Sequence, residues 1–165
     1  MSINDSAPNT PIEVRIGQAL TRQGLTIAIA ESATGGMVAS RLTDISGSSS
    51  YFIGGIVAYS NFIKTSIIGV PEETVERYGA VSEQTALAMA KGVRHLLQTD
   101  IGVSTTGIAG PTGGTKRKPV GLIYVAANFH DITVVRRAVF TESREGNKYE
   151  FTQRALELFA GVLEI

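Results

Sequence analysis

One stretch of this 165-residue chain limits its folding more than any other: Leu25-Thr26-Ile27-Ala28-Ile29-Ala30-Glu31-Ser32-Ala33-Thr34-Gly35-Gly36. It opens after Gly24 as a short apolar run rich in β-branched residues, the pattern of a buried strand. It then breaks into small and polar residues, and from Met37 to Leu42 apolar residues return at helical spacing. A strand that delivers a serine and two glycines onto a helix start makes a distinctive place in a fold. The first helical N–H groups lack intrahelical partners, and the helix dipole adds partial positive charge there. Phosphate or a developing oxyanion suits such a place. The Ser32 hydroxyl serves there either as a nucleophile or as a plain helix cap, and the pattern admits both.

Composition narrows the possibilities. A hydrophobic content of 43% with 18% charged residues describes an ordinary globular chain, expected to form one domain over 11–165 behind a polar, frayed tail at 1–10. Fifteen Lys and Arg balance fifteen Asp and Glu, so no polyanion-binding surface is advertised and nucleic acid is not expected as a partner. Cysteine is absent, which removes disulfides, thiol nucleophiles and Cys–metal sites. The first eleven residues carry Asp5 rather than a basic segment and so do not read as a secretory signal. No apolar run approaches the roughly 18–20 residues that a membrane span needs. The expectation is a cytoplasmic protein without a membrane partner. Two isolated histidines, His95 and His130, make no zinc site, and no metal is expected. They read as surface residues, so a serine nucleophile here is not expected to use a histidine base.

Taken in order, the spacing predicts a helix over 12–23 stopped by Gly24, the strand above, and a helix over about 35–43. A Gly/Ser loop at 44–50 leads into a β-rich run at 51–59, whose Gly54-Gly55 pair suggests a bulge or a close backbone approach. Residues 60–69 read as a short helix ended by Gly69 and Pro71, and Pro71-Glu72-Glu73 opens another. Ser82 caps a longer helix to about Gln98, with Ala86, Met89, Ala90, Val93, Leu96 and Leu97 on its buried face. A strand at 101–106 runs into the glycine-rich loop 107–115. Strands at 120–128 and 132–140 form a hairpin, and a final helix spans about 145–163. Alternating helices and strands indicate an α/β layered fold, and the terminal hairpin makes its sheet mixed.

Four groups of residues could carry chemistry, and each has a plain structural reading beside the functional one. Ser32 with Thr34-Gly35-Gly36 is a nucleophile and anion cradle, or an ordinary strand-to-helix turn; it is neither a GxSxG elbow nor a Walker loop. Tyr59 and Lys64 flank a strand end and a helix start. Lys64 is a base if burial lowers its pKa, and otherwise a solvated lysine. The loop Gly107-Ile108-Ala109-Gly110-Pro111-Thr112-Gly113-Gly114-Thr115 aims amides at an anion or simply connects elements; Lys116-Arg117-Lys118 beside it reads as a solvated edge. Arg144 with Lys148 binds phosphate or decorates the surface.

The segments Ala30-Glu31-Ser32-Ala33-Thr34-Gly35-Gly36, Gly47-Ser48-Ser49, Val57-Ala58-Tyr59-Ser60-Asn61 with Lys64, Ile68-Gly69-Val70 and Gly79-Ala80-Val81-Ser82-Glu83 continue into two more. These are Thr106-Gly107-Ile108-Ala109-Gly110-Pro111-Thr112-Gly113-Gly114 and Lys118-Pro119-Val120-Gly121. In this order they resemble the CinA C-terminal domain family, the nicotinamide-nucleotide amidohydrolases, over about 18–163. The resemblance implies a three-layer α/β/α sandwich with a mixed central sheet, self-associating as a homo-oligomer. It implies hydrolysis of the carboxamide of nicotinamide mononucleotide to nicotinate mononucleotide and ammonia, with no cofactor. Ser32 takes the place of the family's nucleophile and Lys64 that of its base, with Tyr59 assisting. Thr34, Gly35, Gly36, Thr106, Gly107, Gly110 and Arg144 are the expected substrate-binding set. The chain departs from the family pattern at Ala33, where cysteine is frequent. It departs again at Glu142-Ser143-Arg144 with Lys148, where Gly-Asp-Arg and a second arginine are usual. The other class consistent with these segments is a non-catalytic nucleotide-binding or competence- and damage-linked interaction module on the same fold.

Overall fold

A computed structural model describes residues 10–165; the tail expected over 1–10 lies, apart from Thr10, outside the described residues. Five strands form one sheet in the order β2-β1-β3-β4-β5. They are β1 (Ile27–Glu31), β2 (Phe52–Val57), β3 (Ile101–Gly107), β4 (Leu122–Phe129) and β5 (Ile132–Val139). β1 runs parallel to both β2 and β3, while β4 and β5 are antiparallel additions, so the sheet is mixed as expected. The helices are α1 (Ile12–Gln23), α2 (Met37–Thr43), α3 (Glu72–Tyr78), α4 (Glu83–Leu97) and α5 (Arg144–Val162).

The two-residue period of β1 sorts the layers. Every residue of β1 is buried, and Ile27 and Ile29 join the core that holds Ile16, Leu20, Phe151 and Phe159 of α1 and α5. Ala28 and Ala30 point the other way, to Met89 and Val93 of α4. Small residues dominate the α4 face for a steric reason. A Cβ at Gly102 would run into the carbonyl oxygen of Ala90, and Ser104 donates its hydroxyl to the Ala86 carbonyl at 2.6 Å. The helix therefore lies close against the sheet, completing an α/β/α sandwich.

The expected elements are present with shifted ends, and two details differ. Residues 60–69 do not form a regular helix but a widened π-type turn over Ile63–Ile67. Leu96, expected on the buried face of α4, is 46% exposed; it sits a hundred degrees round the axis from Leu97, which packs with Val93. The bulge suggested by Gly54-Gly55 appears as a register shift one step earlier, where Ile27 and Ala28 face Phe52 and Gly54. Ser82 caps α4 as read from the sequence, accepting the Thr85 N–H at 3.2 Å. No helix among the described residues is long and apolar enough to cross a membrane.

The carboxyl ends of β1, β2 and β3 lie together. The chain leaves β1 for β2 on one side and returns from β2 to β3 on the other, the kind of switch point at which open α/β sheets hold ligands. Close packing of α4 can be checked directly. Gly102→Ala is expected to destabilise the fold by about 2 kcal/mol or more. Gly161→Ala in α5, which meets no atom within 4 Å, should be neutral or mildly stabilising; urea unfolding of both variants measures the contrast.

Candidate active site

The turn after β1 is shaped by one carboxylate. Glu31 is only 2% exposed, and its Oε2 accepts the Thr34 hydroxyl at 2.6 Å, the Gly36 N–H at 2.9 Å and the Val38 N–H at 3.1 Å. Its Oε1 accepts the Ala39 N–H at 2.8 Å. Since the Thr34 proton goes to Glu31, the Thr105 hydroxyl, 2.7 Å away, donates to Thr34. Gly35 and Gly36 take positive φ values of 63° and 102°, a backbone that side-chain-bearing residues rarely adopt. The start of α2 is thus occupied by a carboxylate from within the chain, which is nearer the ordinary strand-to-helix turn than the anion cradle. In the turn itself Ser32 donates its N–H to Thr105 and Gly35 to Ser32. The Ala33 and Thr34 N–H groups have no acceptor among the described residues. The Thr34 side chain is fully buried and serves Glu31.

Opposite this turn stands Lys64, brought in by the π-type turn that follows β2. A widened turn shifts the side-chain direction relative to a regular helix, and such turns concentrate at functional sites. Lys64 is 1% exposed. Its Nζ lies 3.2 Å from Ser32 Oγ, 2.7 Å from the Ala58 carbonyl and 3.3 Å from the Tyr59 carbonyl. No carboxylate pairs with it among the described residues. Burial alone pulls its pKa down from 10.5 to about 8. In the neutral amine two N–H groups satisfy the two carbonyls, and the lone pair is left to accept the Ser32 hydroxyl proton.

The third wall comes from the start of α5 and the loop after β3. Arg144 donates from Nη1 to the Gly110 carbonyl at 2.6 Å and from Nη2 to the Tyr59 hydroxyl at 3.2 Å. Tyr59 is 64% exposed; its phenol belongs to the Arg144 side, and only its carbonyl reaches the Lys64 amine. Lys148, one turn beyond Arg144, places Nζ 3.5 Å from where a Gly35 Cβ would stand. Gly110 has φ +82° and no room for a side chain beside Val120. A Cβ at Gly107 would come 2.5 Å from the Leu122 carbonyl. Thr106 is fully buried and donates its hydroxyl to the Ala80 carbonyl at 2.7 Å.

Ser32, Lys64 and the Tyr59 carbonyl therefore meet directly, with Gly35, Gly110 and Arg144 at the rim; the hydroxyls of Thr34 and Thr106 are held by protein groups. Glu31, Thr105 and Asn147 were not singled out from the sequence. The signal for Glu31 was present: a carboxylate at the end of a wholly buried strand requires donors. His95 and His130 are exposed, and no group of three or more metal-ligating side chains occurs among the described residues. A groove of about 980 Å³ between β5 and α5, lined by Ile132, Val134, Arg136, Leu158 and Val162 among others, contains none of the site residues.

Burying Lys64 carries a stability consequence whose sign is fixed. The folded pKa lies below the unfolded value, so below about pH 8 the unfolded chain and the fold both hold the proton and the full desolvation penalty, roughly 3 kcal/mol, applies. The penalty fades as pH rises from 8 toward 10.5. Lys64→Met is expected to exceed the natural chain in stability at pH 7, with the difference shrinking by pH 10; urea midpoints at the two pH values test this.

Comparison with known proteins places the chain as a whole. The model of the CinA C-terminal domain matches residues 9–163. A CinA-like protein of Salinibacter ruber is 51% identical over 146 residues, which are 88% of this chain and 35% of that protein. A CinA-like protein of Chloroherpeton thalassium is 46% identical over 157 residues, 93% of this chain and 37% of the relative. This chain thus spans little more than a third of the length of those relatives. The crystal structure of the competence/damage inducible protein CihA from Agrobacterium tumefaciens superposes with a TM-score of 0.89 at 37% identity, covering 93% of this chain and 94% of that one. With a family match over nearly its whole length and that superposition, the chain belongs to the CinA C-terminal domain family.

Proposed function

We propose that this domain hydrolyses the carboxamide of nicotinamide mononucleotide, releasing ammonia and nicotinate mononucleotide, with Ser32 as nucleophile and Lys64 as its base. The observation that carries the reading is the 3.2 Å approach of a buried amine to a serine hydroxyl, an amine whose pKa lies near 8. Neutral Lys64 takes the Ser32 proton as Oγ attacks the amide carbon, and the carbonyl oxygen becomes the oxyanion. The N–H of Ala33, next to Ser32 and only partly buried, is one donor for that oxygen, and the Gly107–Gly110 loop is the alternative source. Protonated Lys64 gives its proton to the departing nitrogen, which leaves as ammonia, and an acyl ester remains on Ser32. Water, deprotonated by Lys64, then cleaves the ester and regenerates the serine. Arg144, the Tyr59 phenol and Lys148 face the ligand's phosphate. The scheme uses no metal or organic cofactor.

The second reading is a nucleotide-binding or interaction module without turnover. It draws on the Glu142-Ser143-Arg144 turn, which departs from the family pattern, and on an Arg144 guanidinium already engaged by Gly110 and Tyr59. Calorimetry run beside an ammonia assay separates the two, since binding without ammonia favours the module.

Three outcomes are expected of the amidase. Ser32→Ala and Lys64→Ala each lower kcat by about a thousandfold or more while the fold persists, because both steps need the pair. The rate of the natural chain falls as pH drops through about 8, reaching about a tenth of its plateau at pH 7, since the base works only when neutral. Arg144→Ala raises KM for the nucleotide by about tenfold with little change in kcat. Steady-state ammonia release across pH 6–10 reads all three. A flat pH profile, or turnover surviving loss of Ser32 or Lys64, contradicts the mechanism.

A further inference from the structure

Arg144 lies on the surface, yet the segment that carries it is tied down by a residue out of a ligand's reach. Asn147, three positions further along α5, is fully buried. Its Nδ2 donates one proton to the Ala109 carbonyl at 3.0 Å and the other to the Glu142 carbonyl at 3.1 Å. Its Oδ1 accepts the Glu142 N–H at 3.2 Å. One side-chain amide therefore joins the turn before α5 to the glycine loop after β3, across 38 residues of sequence.

Arg144 also touches that loop, through the Gly110 carbonyl. That tie uses one of the five guanidinium N–H groups, and an anion drawn to the others pulls on the same side chain. The Asn147 side chain does not compete with a ligand, because it is fully buried. It keeps the two walls in register whether or not the guanidinium is occupied. Aspartate could not replace it, having no proton to offer the two carbonyls. A hydrocarbon would leave the buried Ala109 carbonyl without its partner and free both backbone groups of Glu142.

Building on the nucleotide reading above, we infer that Asn147 is a positioning residue that sets where Arg144 holds the anionic group of the ligand. It touches no reacting atom and acts through Arg144, which makes its effect specific to ligands that carry the anion.

The test uses the full chain with Ser32→Ala, which binds without turnover, and two probes: nicotinamide mononucleotide, and nicotinamide riboside, the same molecule without phosphate. Asn147→Asp is expected to weaken binding of the mononucleotide by about tenfold or more and that of the riboside by less than about twofold in calorimetry. Combined with Arg144→Ala, it should add nothing to the loss caused by Arg144→Ala alone, because the two residues act as a unit. Asn147→Ala gives the same readings if the aspartate variant fails to fold, with melting curves checking each protein. Equal losses for both ligands, additive losses in the double variant, or absence of phosphate-dependent binding before Asn147 is changed would overturn the role. Ammonia release by the natural chain with no effect of Asn147→Asp sinks the positioning role alone. Phosphate-dependent binding that needs Asn147, in a chain that releases no ammonia, keeps that role and sinks the amidase.

Discussion

The contact between Lys64 Nζ and Ser32 Oγ exists because a cationic side chain has been taken almost wholly out of water with no carboxylate beside it. A buried charge of that kind is costly, and the fold meets the cost by letting the amine go neutral near pH 8 and giving its two protons to backbone carbonyls. Those carbonyls, of Ala58 and Tyr59, come from the chain just past β2, and the hydroxyl comes from the chain just past β1. Parallel pairing of β1 with β2 is what sets the two ends side by side. The π-type turn at Ile63–Ile67 then returns the lysine over them.

A second buried group has the opposite charge and the opposite solution. Glu31 keeps its oxygens surrounded by donors: one hydroxyl and three backbone N–H groups at the start of α2. Charge-assisted bonds of this sort hold a turn more firmly than neutral ones. Their effect is to occupy the helix terminus and to leave the Ala33 amide, which has no acceptor among the described residues, at the partly open part of the loop. The α5 side adds two cations on a fixed base: Arg144 and Lys148 stand at the rim, while Asn147 is locked to Ala109 and Glu142. Cations on a rigid support at the rim would, in the proposed reading, hold a ligand's phosphate while its reacting group arrives at Ser32.

Much of the frame was readable from local pattern. The apolar run at β1, the Ser82 cap, the terminal hairpin and the long amphipathic α5 all follow from side-chain periodicity and from residues that favour particular dihedral angles. Helical spacing tolerates both Leu96 and Leu97 on the buried face of α4, and only the position of the sheet chooses between them. Residues 60–69 have the composition of a short helix, and composition does not distinguish an α from a π turn. The widening shows in its hydrogen bonds, as in Ile68 to Ile63 and Val70 to Lys64.

The sequence by itself determined the α/β class, the strand that ends in Ser32, the absence of a thiol or histidine-rich alternative, and a family-specific order of motifs. Those properties depend on residues near one another in the chain or on chemistry a residue type cannot supply. Only the tertiary structure decided that Lys64 is buried against Ser32, that Glu31 fills the start of α2, that the Tyr59 phenol turns to Arg144, and that Asn147 joins two distant loops. Each of these sets a pKa or a hydrogen bond through packing between segments that strand order brings together. Spacing along the chain carries no information about that proximity.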